Sequence, residues 1–329
     1  MPSAPDLVAA WPGTTAIRDR AGAALDEFLA GRTLPGTEAF RPLPAEVIAA
    51  FLRGGERIGP LFCAAGALAG GGDPFAPAVV RVGAALELFH AFALIHDDIM
   101  AASGVRRQLA EAHEDPRFGT AGAILIGDLC LVWSQELIEP TGIAARPFVT
   151  AMRTEAIAGQ YLAIDPSAPP GDEARAWKAT RLRSASSLVR RPLQIGAALA
   201  GAPGSTLAFC TAYGTLVGEA FQLRDDLFGV LGDPSSTGKR TVLMSLAWRH
   251  ADSSQRRTIS ARHGDPDLDE EGAAALRAVI RATGADRMVG ELITDRTQRA
   301  LAAVRDSGLS GEACSALTEL AYAATTSGR

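Results

Sequence analysis

Cysteine is sparse in this sequence and is not arranged for chemistry. Cys63, Cys130, Cys210 and Cys314 are scattered through 329 residues and form no CxxC pair. That usage predicts reduced core thiols in a cytosolic protein. No basic n-region with an apolar h-region opens the chain, and no apolar run reaches the ~18 residues of a membrane span. The expectation is a cytoplasmic protein without stable membrane insertion. Charge of one sign is missing too. Lys and Arg number 32 against 37 Asp and Glu, a net charge of −5 that leaves no footprint for nucleic acid or an anionic membrane. The basic residues fall in short clusters, so anion recognition is confined to a site. Alternating β-branched strands with hairpin turns are absent, as are GxGxxG and GxxxxGK[ST] phosphate loops. There is no internal repeat. The breaks at Glu111 to Arg117 and Pro166 to Asp172 are too short and too charged to be domain linkers.

What remains is ordinary globular material with helical periodicity. Hydrophobic residues make up 47% and charged residues 21%, ample for a core. Residues 1–13 form a Pro-rich, irregular tail. Apolar spacing predicts helices from Thr14, from Ala45 to about Leu68 with an interruption near Gly59-Pro60, and from Pro77 to Asp97. Further helices are predicted over 121–138, 148–162, 173–200, 207–230, 240–248, 270–282, 286–304 and 312–324. The chain therefore reads as a single all-α domain over 1–329.

Two acidic pairs stand at the ends of apolar helical runs. The first is Leu94-Ile95-His96-Asp97-Asp98-Ile99-Met100, followed by Arg106-Arg107. The second is Phe221-Gln222-Leu223-Arg224-Asp225-Asp226-Leu227, followed by Gly232-Asp233-Pro234 and Thr237-Gly238-Lys239. A lone Asp-Asp is commonly a solvated helix end. Here both pairs follow runs that point inward, where uncompensated carboxylates are costly and call for cations. Hard oxygen ligands suit Mg²⁺, which bridges carboxylates and phosphate oxygens. Guanidinium forks nearby match phosphate oxygens.

These stretches, with Glu87-Leu88-Phe89-His90, Ile126-Gly127-Asp128-Leu129, Gly159-Gln160-Tyr161-Leu162 and Arg191-Pro192-Leu193-Gln194-Ile195-Gly196, resemble the trans-isoprenyl diphosphate synthase (polyprenyl synthetase) family over about residues 45 to 250. The resemblance implies a homodimeric, all-α isoprenoid-synthase-type bundle around a central cavity. There Mg²⁺ holds an allylic prenyl diphosphate that ionises to an allylic cation and pyrophosphate. It implies that Asp97, Asp98, Asp225 and Asp226 are metal ligands and, with Arg106 and Lys239, catalytic. His90, Arg107, Arg183 (where the family has lysine), Gln222 and Arg57 then contact substrate. Phe92, five residues before Asp97, is implied as the floor of a pocket limiting products near C15 to C20; the plain alternative is that it packs in the core.

The chain also departs from the family pattern. Ala101 stands one helical turn after Asp97, where the family has a further aspartate, so Asp97 lacks a same-face partner for a shared metal. Glu56 and Gly59 in Gly54-Gly55-Glu56-Arg57-Ile58-Gly59-Pro60 replace a lysine and an arginine that hold the second diphosphate, that of isopentenyl diphosphate. A carboxylate there repels that ligand. The loop after Lys239 is shortened. Three readings follow. The first is a terpene synthase of this fold that ionises a C15 to C20 allylic diphosphate without elongating it. The second is a chain-elongating prenyltransferase, and the third a non-catalytic regulatory partner of an active synthase. The retained residues serve ionisation and the altered ones serve the acceptor, which ranks the terpene synthase first.

Overall fold

Helical spacing becomes helix along almost the whole chain. The computed structural model describes the chain apart from residues 1–10, 12, 37–42, 101–118, 143, 166–168, 184, 233–239, 266–267 and 327–329, and apart from the side chains of residues 98, 231 and 232. Fourteen α-helices and no strand are present among the described residues, so the fold is all-α. Helix α1 (Gly13–Leu29) buries Thr14, Ile17, Ala21, Leu25 and Leu29, the single face that three- and four-residue spacing predicts. Trp11, within the expected tail, is already buried.

The expected helix over 45–68 is two helices, α2 (Pro44–Phe51) and α3 (Ile58–Ala69). The break falls where Gly54 and then Arg57 take left-handed backbone, with φ of 78° and 56°. Arg57 is the one described non-glycine residue with positive φ, so the turn is held by tertiary contacts. Helix α3 is buried on all sides except at its first residue. It reaches its neighbour α8 (Arg191–Leu199) through glycine: a Cβ on Gly66 would lie 2.0 Å from the Leu193 carbonyl, and one on Gly196 1.8 Å from that of Cys63.

Helix α4 (Pro77–Met100) lies against α5 (Gly119–Ile138), and α6 (Arg146–Ile164) follows a short 3₁₀ turn. The 173–200 segment is three pieces: α7 (Glu173–Leu182), a π-helical turn over Ala185–Arg190, and α8. The long α9 (Gly204–Gly232) crosses to α10 (Val242–His250), α11 (Ser253–Arg262), α12 (Glu270–Thr283), α13 (Ala285–Arg305) and α14 (Gly311–Thr326). Helix α11 escaped the periodicity because only Ile259 is buried on it. Its start is fixed instead by Asp252 and Gln255, which cap each other's backbone.

Two hydrophobic clusters form the interior, and α9 contributes to both. Cys210, Tyr213, Val217 and Phe221 enter the larger one, and Leu223 and Val230 the smaller. Cys63, Cys130 and Cys210 are buried free thiols, and burial pushes the Cys63 thiol up to about 12. They are core residues, as expected. Two helical stretches are longer than the sequence reading of apolar runs allowed. The stretches Pro77–Asp97 and Gly119–Thr141 are long and apolar enough to cross a membrane, although 67% of the first window is buried inside the protein. Scattered polar residues such as Arg81, Glu87 and Asp128 interrupt both stretches.

Candidate active site

The last turns of α4 present His90, Ala93, Leu94 and Asp97 on one face, and this face lines a cavity of about 30 Å³. Ala156 and Gln160 of α6 close one side, and Arg183 and Ser187 close the other. Gln160 donates through Nε2 to the Ala93 carbonyl at 2.9 Å, which pins α6 to α4. Gly159 lets α6 approach the end of α7: a Cβ there would lie 2.7 Å from the backbone N and the Cγ of Arg183.

Arg183 is the centre of the arrangement. Its Nη2 meets Asp97 Oδ2 at 3.3 Å, with the two side chains only 10% and 15% exposed. Burial works against its charge, but the fields of Asp97, then Asp226 and Asp225, outweigh it and raise the guanidinium above its ordinary value. Three carboxylates from the two acidic pairs therefore act on one cation. Asp97 of the first pair and Asp225 and Asp226 of the second thus lie within electrostatic reach of the same guanidinium.

On α9, Gln222 Nε2 donates to Asp226 Oδ1 at 2.8 Å, and Arg224 Nη2 donates to Asp225 Oδ1 at 2.8 Å. Arg224 is anchored in turn by the Ala323 carbonyl of α14 and lies over the Phe221 ring. The Oε1 of Gln222 is buried and has no hydrogen-bond partner among the described residues. Among those residues there is no cluster of three or more His, Cys, Asp or Glu side chains close enough to bind a metal ion. The donor chemistry nevertheless fits magnesium: the carboxylates of Asp97, Asp225 and Asp226 lie within electrostatic reach of one guanidinium, and the orphaned amide oxygen of Gln222 adds a further hard oxygen.

Two expected substrate contacts, Phe92 and Arg57, are absent from the lining of this cavity. Phe92 is 4% exposed and packs between Phe89 and His96, with ring centroids at 5.5 and 4.8 Å. It is absent from the lining of this cavity and belongs to the larger core cluster. Arg57 turns inward, donating through Nη1 to Glu87 Oε2 at 2.7 Å. Burial pushes the Glu87 carboxyl up, against the pull of Arg57. Glu56 is exposed and its carbonyl accepts a bond from Arg18 Nε at 3.0 Å. Gly59 is buried, and a Cβ there would lie 3.3 Å from that of Leu86. Arg106, Arg107, Ala101 and Lys239 lie outside the described residues, as does the side chain of Asp98. Gln160 and Ser187 were not singled out from sequence as site residues. Gly159-Gln160 was the available signal, a small residue beside an amide on a helix of otherwise apolar spacing.

The polyprenyl synthetase family profile matches residues 42–278. The chain belongs to this family. It is 29% identical over 290 residues to a (2E,6E)-farnesyl diphosphate synthase of Mycobacterium tuberculosis, covering 82% of this chain and 78% of that one. A geranylfarnesyl diphosphate synthase of Aeropyrum pernix is 32% identical over 252 residues, covering 70% of this chain and 77% of its own. Among solved structures, a geranylgeranyl pyrophosphate synthase of Corynebacterium glutamicum, complexed with isoprenyl diphosphate and magnesium, superposes with a TM-score of 0.81. The two are 31% identical, and the match covers 95% of this chain and 98% of that one. As a polyprenyl synthetase, the protein is an enzyme of a family of prenyl diphosphate synthases.

Proposed function

We propose that the protein is a magnesium-dependent trans-prenyltransferase that ionises an allylic prenyl diphosphate and extends it with isopentenyl diphosphate to a C15 to C20 product. The observation that supports this reading is the buried ion pair of Asp97 with Arg183, whose guanidinium also feels the charges of Asp226 and Asp225. The similar proteins are named as prenyl diphosphate synthases, which supports elongation over the ionisation-only reading that the altered acceptor residues favoured. Asp97, Asp225 and Asp226, with Asp98, are the residues that would hold the metal. Magnesium, when bound, offsets the charge that develops on the leaving pyrophosphate. Arg183 binds the diphosphate oxygens from the same side, and His90 and Gln160 line the wall beside them. The allylic C–O bond breaks with its electron pair going to pyrophosphate. The alkene of isopentenyl diphosphate then forms the new C–C bond, and the resulting cation loses a proton to the released pyrophosphate to restore a double bond. The apolar flank of α4 at Ala93 and Leu94 then receives the hydrocarbon and excludes water from the cation.

Three features favour the second reading, a terpene synthase that ionises without elongating. Glu56 brings negative charge to the acceptor side, Arg57 is committed to Glu87, and Gly59 is closed against Leu86. We further take the chain to act as one domain, because α9 serves both hydrophobic clusters. We also take it to work as a cytoplasmic homodimer, with the exposed Leu125 and Val132 of α5 covered by a second copy. The deciding experiment incubates purified protein and Mg²⁺ with C10, C15 and C20 allylic diphosphates, with and without isopentenyl diphosphate. Longer diphosphates formed only with isopentenyl diphosphate support elongation. Hydrocarbons or alcohols formed without it transfer the case to the second reading, and absence of both overturns the proposal.

A further inference from the structure

We propose that Arg183 is a built-in counter-cation, which holds Asp97 in the free protein and competes with divalent metal for that carboxylate. The inference rests on the reading of this cavity as a metal and diphosphate site, and goes beyond it. Its geometric basis is the ion pair between Arg183 Nη2 and Asp97 Oδ2 at 3.3 Å, formed by two side chains that are mostly buried. Asp225 and Asp226 act on the same guanidinium, so one fixed charge serves both acidic pairs.

The backbone of Arg183 is fixed in place. Its N–H donates to the Ala179 carbonyl at 3.0 Å, and its own carbonyl accepts from Ser186 and Ser187 at 2.9 and 3.1 Å. Gly159 packs against it from α6. The π-helical turn that begins at Ala185 leaves Arg183 at the junction between α7 and that turn. The guanidinium can leave the carboxylates only by rotating its own side chain.

Two features of the sequence give this pairing a consequence. A guanidinium stays charged at every accessible pH and offers a planar fork, where lysine would offer a compact and more mobile charge. The sequence also holds no further carboxylate between Asp98 and Glu111 to share a metal with Asp97. A divalent ion approaching Asp97 meets the Arg183 charge at short range, in a partly buried site where like charges repel strongly. The expected result is weak metal binding in the absence of a diphosphate, because Arg183 already fills the role of one cation.

The test measures Mn²⁺ binding to the full chain without any prenyl substrate, by calorimetry and by electron paramagnetic resonance. Arg183→Gln is expected to bind Mn²⁺ at least about tenfold more tightly than the wild type, since the competing charge is gone. Mn²⁺ is also expected to raise the melting temperature of Arg183→Gln more than that of the wild type. Arg183→Lys keeps the charge without the fork and is expected to fall between the two. Unchanged or weaker Mn²⁺ affinity in Arg183→Gln overturns the proposal. Should that variant lose its helical circular dichroism, unchanged affinity in Arg183→Lys overturns it instead. Because no prenyl diphosphate is present, inactivity in the product assay leaves this result standing. An active enzyme with unchanged Mn²⁺ affinity in the variants refutes this inference alone.

Discussion

Arg57 illustrates how little of a charged residue's role is visible from its neighbours in sequence. It sits in the turn before α3 beside Glu56, in a stretch that suggested a diphosphate contact, yet its guanidinium goes inward to Glu87 on α4. The pair is 13% and 4% exposed, so each charge depends on the other. Glu87→Gln leaves a buried guanidinium without its counter-charge. It is expected to cost about 3–5 kcal/mol, measured by urea unfolding. A loss below ~1 kcal/mol, the level of an exposed pair, contradicts this account of the turn. The same scale explains Phe92. Its distance from Asp97 in sequence was readable, but its direction depends on which face of α4 packs against α5, and His96 and Phe89 take that face. Gly59 belongs here as well. The missing guanidinium was legible, but the closure of its place by Leu86 required the packed helices.

Between elements, most boundaries followed from spacing, and the exceptions have physical causes. Helix α11 has almost no buried face, so only its capping residues could announce it. The 173–200 segment keeps its apolar spacing through the π-helical turn, which therefore left no mark in the pattern. That turn is held by a polar junction. Glu155 of α6 accepts from Ser186 at 2.5 Å, from Arg190 at 2.9 Å and, with both oxygens, from Arg191 of α8. Burial raises the Glu155 carboxyl, but the bonds from Arg191 and Ser186 and the charges of Arg190 and Arg191 outweigh it, leaving the carboxyl below the ordinary value of 4.5. A depressed acid contributes stability above its unfolded value and loses it as pH falls through the folded one. The wild type is therefore expected to lose stability as pH drops below about 4.5, whereas Glu155→Gln is less stable at neutral pH and has a shallower acid limb. Unfolding midpoints measured across that window check this; an equally steep limb in the variant contradicts it.

At the scale of the molecule, sequence disclosed the all-α class and the two acidic pairs, because inward apolar runs ending in carboxylates carry a recognisable cost. It did not disclose that Arg183 would be their common partner. That depends on α4, α6, α7 and α9 meeting, with Gly159 allowing α6 its close approach to Arg183. The choice between elongation and ionisation alone was also beyond it, since Glu56 and Gly59 pointed one way and the relatives point the other. Both readings share one claim: the two acidic pairs serve a single ionisation. Its most direct test is pyrophosphate release from a C15 allylic diphosphate with Mg²⁺, comparing the wild type with Asp97→Ala and Asp225→Ala. Each variant is expected to lose at least about 10²-fold in rate, the scale of removing one group that stabilises developing charge. Wild-type release in either variant contradicts a shared site.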